Sequence, residues 1–156
     1  MRLRVIAVGT RLPAWVGQVF DDYARRLGGT VKLELREVPA GPRSASRPTS
    51  QATAAERDRL LAQLKGDELV VALDEHGREL STSELAAWLG ARMGEGRDVA
   101  FLIGGPDGLD SAVLERSDSR WSLSRLTLPH ALVRVVLAEQ LYRAHSVLAG
   151  HPYHRE

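Results

Sequence analysis

The sequence predicts an α/β layered domain built around a mostly parallel sheet. Three observations carry that expectation. Short apolar runs at Leu3 to Val8, 68 to 73 and 98 to 103, the first of them β-branched, each end in a glycine or a turn signal. Amphipathic helical patterns lie between them, with apolar residues at three and four residue steps. No internal repeat or linker divides the 156 residues, so 1–156 is expected to be a single domain with one core.

Leu3 to Val8 reads as a strand ended by Gly9-Thr10. Pro13 then opens a helix in which Trp15, Val16, Val19, Phe20, Tyr23, Ala24 and Leu27 form the apolar face before Gly28-Gly29. Val31 to Val38 alternates apolar and charged residues, as a half-buried or edge strand does. Residues 39 to 52 contain no large aliphatic side chain and read as a long loop. Leu60, Leu61 and Leu64 suit a polar surface helix from Thr53 to Leu64. A buried strand from Glu68 to Leu73 is followed by Asp74-Glu75-His76-Gly77, read as a turn. Ser81 and Glu84 have the spacing of a capping box at the start of a helix to about Arg92. Asp98 to Ile103 is the next strand and runs into Gly104-Gly105-Pro106-Asp107-Gly108; Arg120 to Ser124 can form a last short strand. Pro129 suits the first turn of a long helix reaching Ala149, because the missing N–H would be unpaired there in any case. That helix is apolar on more than one face, Leu132, Val135 and Tyr142 forming a second stripe, which suits a subunit interface or, alternatively, full burial within the one domain.

At 44% apolar and 26% charged residues the composition is that of an ordinary globular chain. The absence of cysteine removes disulfides, Cys-ligated metals and every Cys-nucleophile mechanism. A net charge of +1 argues against a broad basic surface for coating nucleic acid, although residues 1 to 48 carry +5 and the remainder −4. No apolar run approaches the roughly 18 residues that span a bilayer, and the N-terminus enters a strand without a signal-peptide core. A cytoplasmic location without membrane partners is expected.

Neither Lys32 nor Lys65 follows a glycine, which excludes a Walker A phosphate loop. Gly104 to Gly108 does not spell the dinucleotide pattern, but a glycine pair at the carboxyl end of a strand is where open α/β sheets bind ligands; a plain tight turn is the alternative. The Leu-rich segment Ser122 to His130 suits either a wall for an aromatic ring system or simple core packing. Four of the five histidines, His130, His145, His151 and His154, fall in the last 27 residues. Metal binding by His151, His154 and Glu156 lacks a rigid frame, so no metal site is assigned, and a proton-accepting or substrate-contacting role suits the tail better. No nucleophile-elbow motif supports a hydrolase.

Val8-Gly9-Thr10, Val38-Pro39-Ala40-Gly41, Leu73-Asp74-Glu75-His76-Gly77, Leu102-Ile103-Gly104-Gly105-Pro106-Asp107-Gly108-Leu109, and above all Trp121 to His130, Glu139 to Ala144 and Pro152-Tyr153-His154-Arg155-Glu156, occur together. The chain thereby closely resembles the bacterial ribosomal RNA large subunit methyltransferase H family, over essentially its whole length. The resemblance implies a SPOUT-class methyltransferase fold, a mostly parallel sheet with helices on both faces and a C-terminal trefoil knot. It further implies a homodimer that uses S-adenosyl-L-methionine to methylate N3 of a pseudouridine in helix 69 of 23S rRNA on the assembled ribosome. Carried over position by position, it places the cofactor at Leu73, Gly104, Leu123, Ser124, Arg125, Leu126, Thr127 and Leu128. Catalysis falls to His154 as base, with Tyr153, Arg143 and Arg155, and in a dimer the tail serves the partner's pocket. The missing cysteine fits N3 chemistry, which needs no Cys nucleophile. A non-enzymatic ribosome-associated RNA-binding factor and a knotted methyltransferase acting on tRNA are the alternatives. Arg43 and Arg47 are expected to face the ribosome, their charge reversal weakening that contact without touching cofactor affinity.

Overall fold

In the computed structural model, which describes residues 1–155, five parallel strands form one sheet in the order β2-β1-β4-β3-β5. They are β1 (Arg2–Val8), β2 (Lys32–Val38), β3 (Leu69–Glu79), β4 (Val99–Ile103) and β5 (Ser119–Ser122). From Leu3 to Val8 every residue of β1 is buried, because β1 pairs with β2 on one side and β4 on the other and is covered on both faces. Alternation sorts the side chains into two cores. Leu3, Val5 and Ala7 face a cluster with Phe20, Leu85, Leu89, Leu137 and Leu141, supplied by α1 (Ala14–Leu27), α3 (Thr82–Glu95) and α5 (His130–Leu148). Ile6 and Val8 face the opposite cluster with Leu60 and Val113, supplied by α2 (Thr49–Ala62) and α4 (Ser111–Arg116). Helices therefore cover both faces, as the resemblance implies.

The expected capping box is present: the Ser81 hydroxyl accepts from the Glu84 N–H at 3.1 Å and the Ser81 N–H donates to Glu84 Oε2 at 2.7 Å. Three expectations need correction. The loop at 39 to 52 is shorter, because α2 begins at Thr49 and packs its first turns through the small side chain of Ala52, which is fully buried. Residues 74 to 77 are no turn that ends the strand. β3 continues to Glu79, and these four residues bulge out of register between the pairs Leu73↔Trp121 and Arg78↔Trp121. Finally, α4 was not expected at all; Asp110 caps it by accepting the Ala112 N–H at 2.9 Å.

The bulge depends on Gly77, where a Cβ would sit 2.7 Å from the main chain of Arg120 and Trp121. Gly77→Ala must push β3 and β5 apart, and overpacking of that kind costs about 1–3 kcal/mol. A lowered urea midpoint with an unchanged m-value is the expected result; an unchanged midpoint would show that the two strands adjust freely.

Candidate active site

The carboxyl ends of β3, β4 and β5 open onto a cavity of about 760 Å³, within the size range of cofactor pockets. Leu73 and Asp74 line it from β3, Ile103, Gly104 and Gly105 from β4, and Trp121 to Ser124 from β5 and its continuation. Leu126, Thr127 and Leu128 close one side, while His130 and Val133 of α5 form the floor at the helix's first turn. Gly104 is required by the loop itself: a Cβ there would lie 2.7 Å from the main chain of Gly108. Ser124 braces the opposite wall, its hydroxyl accepting from the Leu126 N–H at 2.9 Å and its carbonyl accepting from the Ser122 hydroxyl at 2.9 Å.

Seven of the eight residues expected to hold a cofactor thus line one cavity: Leu73, Gly104, Leu123, Ser124, Leu126, Thr127 and Leu128. Arg125 is the exception: its side chain is 90% exposed, lies 3.9 Å from Glu79 and does not line the cavity. The cofactor residues carried over from the resemblance leave out His130, Ile103 and Leu109, which also line the cavity. The position of His130, directly after Pro129 at the start of a helix, was the available signal. Burial, followed by the nearby charge of Arg134, lowers the His130 pKa and favours the neutral imidazole.

Arg134 lies beneath this floor with no exposure. Its Nη1 meets Glu37 Oε2 at 2.6 Å, and Nη2 donates to the carbonyls of Val8 at 3.1 Å and Gly9 at 3.3 Å. One side chain thereby ties the ends of β1 and β2 to α5.

The residues expected to act catalytically assemble elsewhere. Near the far end of α5, Arg143 binds Glu139 Oε1 through Nε at 2.9 Å and Nη2 at 2.7 Å. The Tyr153 hydroxyl donates to the same oxygen at 3.0 Å and lies 3.4 Å from the Tyr23 hydroxyl, and the Arg143 guanidinium lies 4.9 Å from the Tyr153 ring centroid. Desolvation and these hydrogen bonds raise the Tyr153 pKa, so its phenol is a donor and not a base. His154 adjoins the cluster in sequence, within the short 3-10 helix Pro152–Arg155, and its Nδ1 is buried without a partner. Arg155 is exposed in the same turn. Glu139, the acceptor shared by Arg143 and Tyr153, was missed, although its spacing of four residues from Arg143 is a helix-pair signature. Ten residues of helix separate Val133 from Arg143, about 15 Å along the axis. Cavity and cluster therefore occupy opposite ends of α5 in one chain. Among the described residues no group of three or more metal-ligating side chains is found; the Glu156 part of the tail motif lies outside them.

A parallel sheet, a glycine loop at its carboxyl edge and a leucine-walled cavity define an α/β domain with a ligand pocket at its strand ends, and comparison gives the class its name. The chain belongs to the SPOUT methyltransferase family, whose model, described as a predicted SPOUT methyltransferase, matches residues 1–154. It is 54% identical over 155 residues to a protein of Bordetella petrii named ribosomal RNA large subunit methyltransferase H, covering 99% of each chain. A protein of the same name from Thioalkalivibrio sulfidiphilus is 52% identical over 156 residues, covering 100% of both chains. Among solved structures, a probable methyltransferase from Bordetella pertussis superposes with a TM-score of 0.60 at 23% identity, covering 92% of this chain and 93% of that one. A probable methylase family protein from Haemophilus influenzae gives 0.57 at 14% identity, covering 97% and 69%, and shares the fold.

The chain is a methyltransferase, and S-adenosylmethionine is the methyl donor of its family. The cavity fits that donor. Leucines and backbone groups suit a neutral adenine and ribose, while the lining carboxylates of Asp74 and Glu75 suit a cationic sulfonium and ammonium.

Proposed function

We propose that this chain methylates N3 of a pseudouridine in helix 69 of 23S rRNA, on assembled ribosomes in the cytoplasm, as a homodimer. The separation of the donor cavity from the Arg143, Tyr153 and His154 cluster within one chain carries this reading, because a second copy can bring a cluster to each cavity. Full-length identity to proteins named as ribosomal RNA large subunit methyltransferases supports the substrate class. Leu132, Val135 and Tyr142, half-buried on α5, are the face assigned to the interface. The trefoil knot and the reading of residues 1–156 as one domain belong to the same proposal. No helix among the described residues is long and apolar enough to cross a membrane.

The donor supplies an electrophilic methyl group and a thioether leaving group that departs neutral, so no acid is needed at that end. The chain must position the base in line and remove the N3 proton. His154 accepts that proton on an imidazole nitrogen as the N3–methyl bond forms and the sulfur–methyl bond breaks. Arg143 and Arg155 stabilise negative charge developing on the imide oxygens or hold phosphate. Glu139 and Tyr153 hold the Arg143 guanidinium in place. Leu73, Gly104, Leu123, Ser124, Leu126, Thr127 and Leu128 hold the adenosyl group.

The test is mass spectrometry of ribosomal RNA from a strain lacking the gene, followed by methyl transfer to its ribosomes with purified protein. Restoration of a single N3-methyl pseudouridine in helix 69 is expected. Methylated tRNA instead would move the substrate, and titration showing no heat with S-adenosylmethionine would leave only an RNA-binding factor.

A further inference from the structure

A second network, on the face opposite α5, reaches the donor cavity from behind. Glu56 of α2 is buried at 2% exposure, and its carboxylate is held by Arg43 through Nη1 at 2.7 Å and Nη2 at 3.2 Å, and by the Gly41 N–H at 2.8 Å. The third donor of the same guanidinium, Nε, reaches Asp107 Oδ2 at 2.8 Å, in the loop that lines the cavity. That loop rests directly on the network: a Cβ on Gly105 would lie 3.3 Å from Glu56 Oε1. Nearby, Arg59 Nη1 donates to the carbonyls of Pro39 and Ala40 at 2.9 Å each, anchoring the start of the segment that carries Arg43.

We propose that Arg43 is a positioning residue for cofactor binding, bridging buried Glu56 to Asp107 so that the 104–108 loop keeps the shape that receives S-adenosylmethionine. This rests on the reading of the cavity as the donor site. The geometry adds to the role expected from sequence. All three guanidinium nitrogens of Arg43 are paired with carboxylates of the protein itself, which gives this partly exposed side chain a structural task beside the ribosome-facing one. Arg47, which forms no ion pair among the described residues, retains the ribosome-facing role as a proposal. Among the described residues, the hydrogen bond that ties the Asp107 side chain to the body of the protein is the one from Arg43, while the loop's own turn is closed by the Gly108 N–H donating to the Gly105 carbonyl at 3.1 Å. Forked donors make the difference here. Lysine keeps the charge but offers a point donor that cannot span two carboxylates in fixed geometry.

The experiment is isothermal titration of S-adenosylmethionine into the full-length protein and its Arg43→Ala, Arg43→Lys, Asp107→Asn and double Arg43→Ala/Asp107→Asn forms, with Arg47→Ala as control. Kd is expected to rise about tenfold in Arg43→Ala and Asp107→Asn, by an intermediate factor in Arg43→Lys, and no further in the double variant, since both changes break one bridge. In turnover on ribosomes, KM for the donor is expected to rise more than kcat falls, a split that general loosening of the fold would not produce. Arg47→Ala is expected to bind the donor as the wild type does. If Arg43→Ala fails to fold, Asp107→Asn alone decides, since it alters one exposed loop side chain. Wild-type affinity in Asp107→Asn, or additive losses in the double variant, would overturn the proposal. A wild-type protein that binds no donor would instead overturn the reading of the cavity.

Discussion

Arg143→Ala is expected to lower the rate of methyl transfer on ribosomes by about a hundredfold to a thousandfold, the range seen when a preorganised donor to a developing oxyanion is removed. Stability is expected to change little. Arg143 and Glu139 are an i,i+4 pair, each about one-fifth exposed, and such pairs contribute only about 0.3–0.5 kcal/mol. A loss of several kcal/mol in transition-state stabilisation against a few tenths in folding identifies a residue that serves chemistry. Single-turnover assays beside thermal melts make the comparison. Arg143→Lys is expected to recover little, because Nε and Nη2 both grip Glu139 and lysine cannot reproduce the fork. His154→Ala provides the check on the base. Normal rates in that variant, with Arg143→Ala inactive, would remove His154 from proton transfer.

Arg134→Met has the opposite signature, a structural loss first and a functional one through it. Breaking a buried ion pair costs about 3–5 kcal/mol when the remaining charge stays buried. Here the abandoned partner, Glu37, is 37% exposed and can be solvated, so the lower end applies. The carbonyls of Val8 and Gly9 also lose their donor at the end of β1. About 3 kcal/mol, or roughly 10 °C in Tm for a chain of this size, is the expected cost at fixed protein concentration. A shift below about 3 °C would show that water or a rearranged side chain replaces the guanidinium.

The elements that depend on local pattern were legible. β1 and β4 are largely apolar runs because both of their faces are covered, and the Ser81 to Glu84 box marks a helix start by chemistry confined to four residues. What escaped depends on partners far along the chain. Residues 74 to 77 look like a turn because glycine and charge cluster there; only the approach of β5 to Gly77 shows that the strand resumes. The start of α2 is hidden because it packs through Ala52 and not through a large side chain. With six residues, α4 is too short for a helical period to emerge. The donor cavity was readable where leucines and glycines follow strands. Arg134 was not, since its acid partner lies 97 residues away and its carbonyl partners 125 and 126. The second partner of Arg43 was hidden for a similar reason: an arginine in a loop without large aliphatics gives no sign of the buried carboxylate beneath it.

The position of cavity and cluster at the two ends of α5 has a genetic consequence. If each working centre draws its cavity from one copy and its cluster from the other, two inactive alleles can rescue each other. A chain with a blocked cavity, such as Gly104→Val, still carries an intact cluster; Arg143→Ala still carries an intact cavity. In a mixed dimer one centre combines both intact halves and the other combines both defects. Equal co-expression with random pairing then restores roughly a quarter of wild-type activity, from two proteins that are each inactive alone. Placing both substitutions on the same chain, paired with itself, restores none.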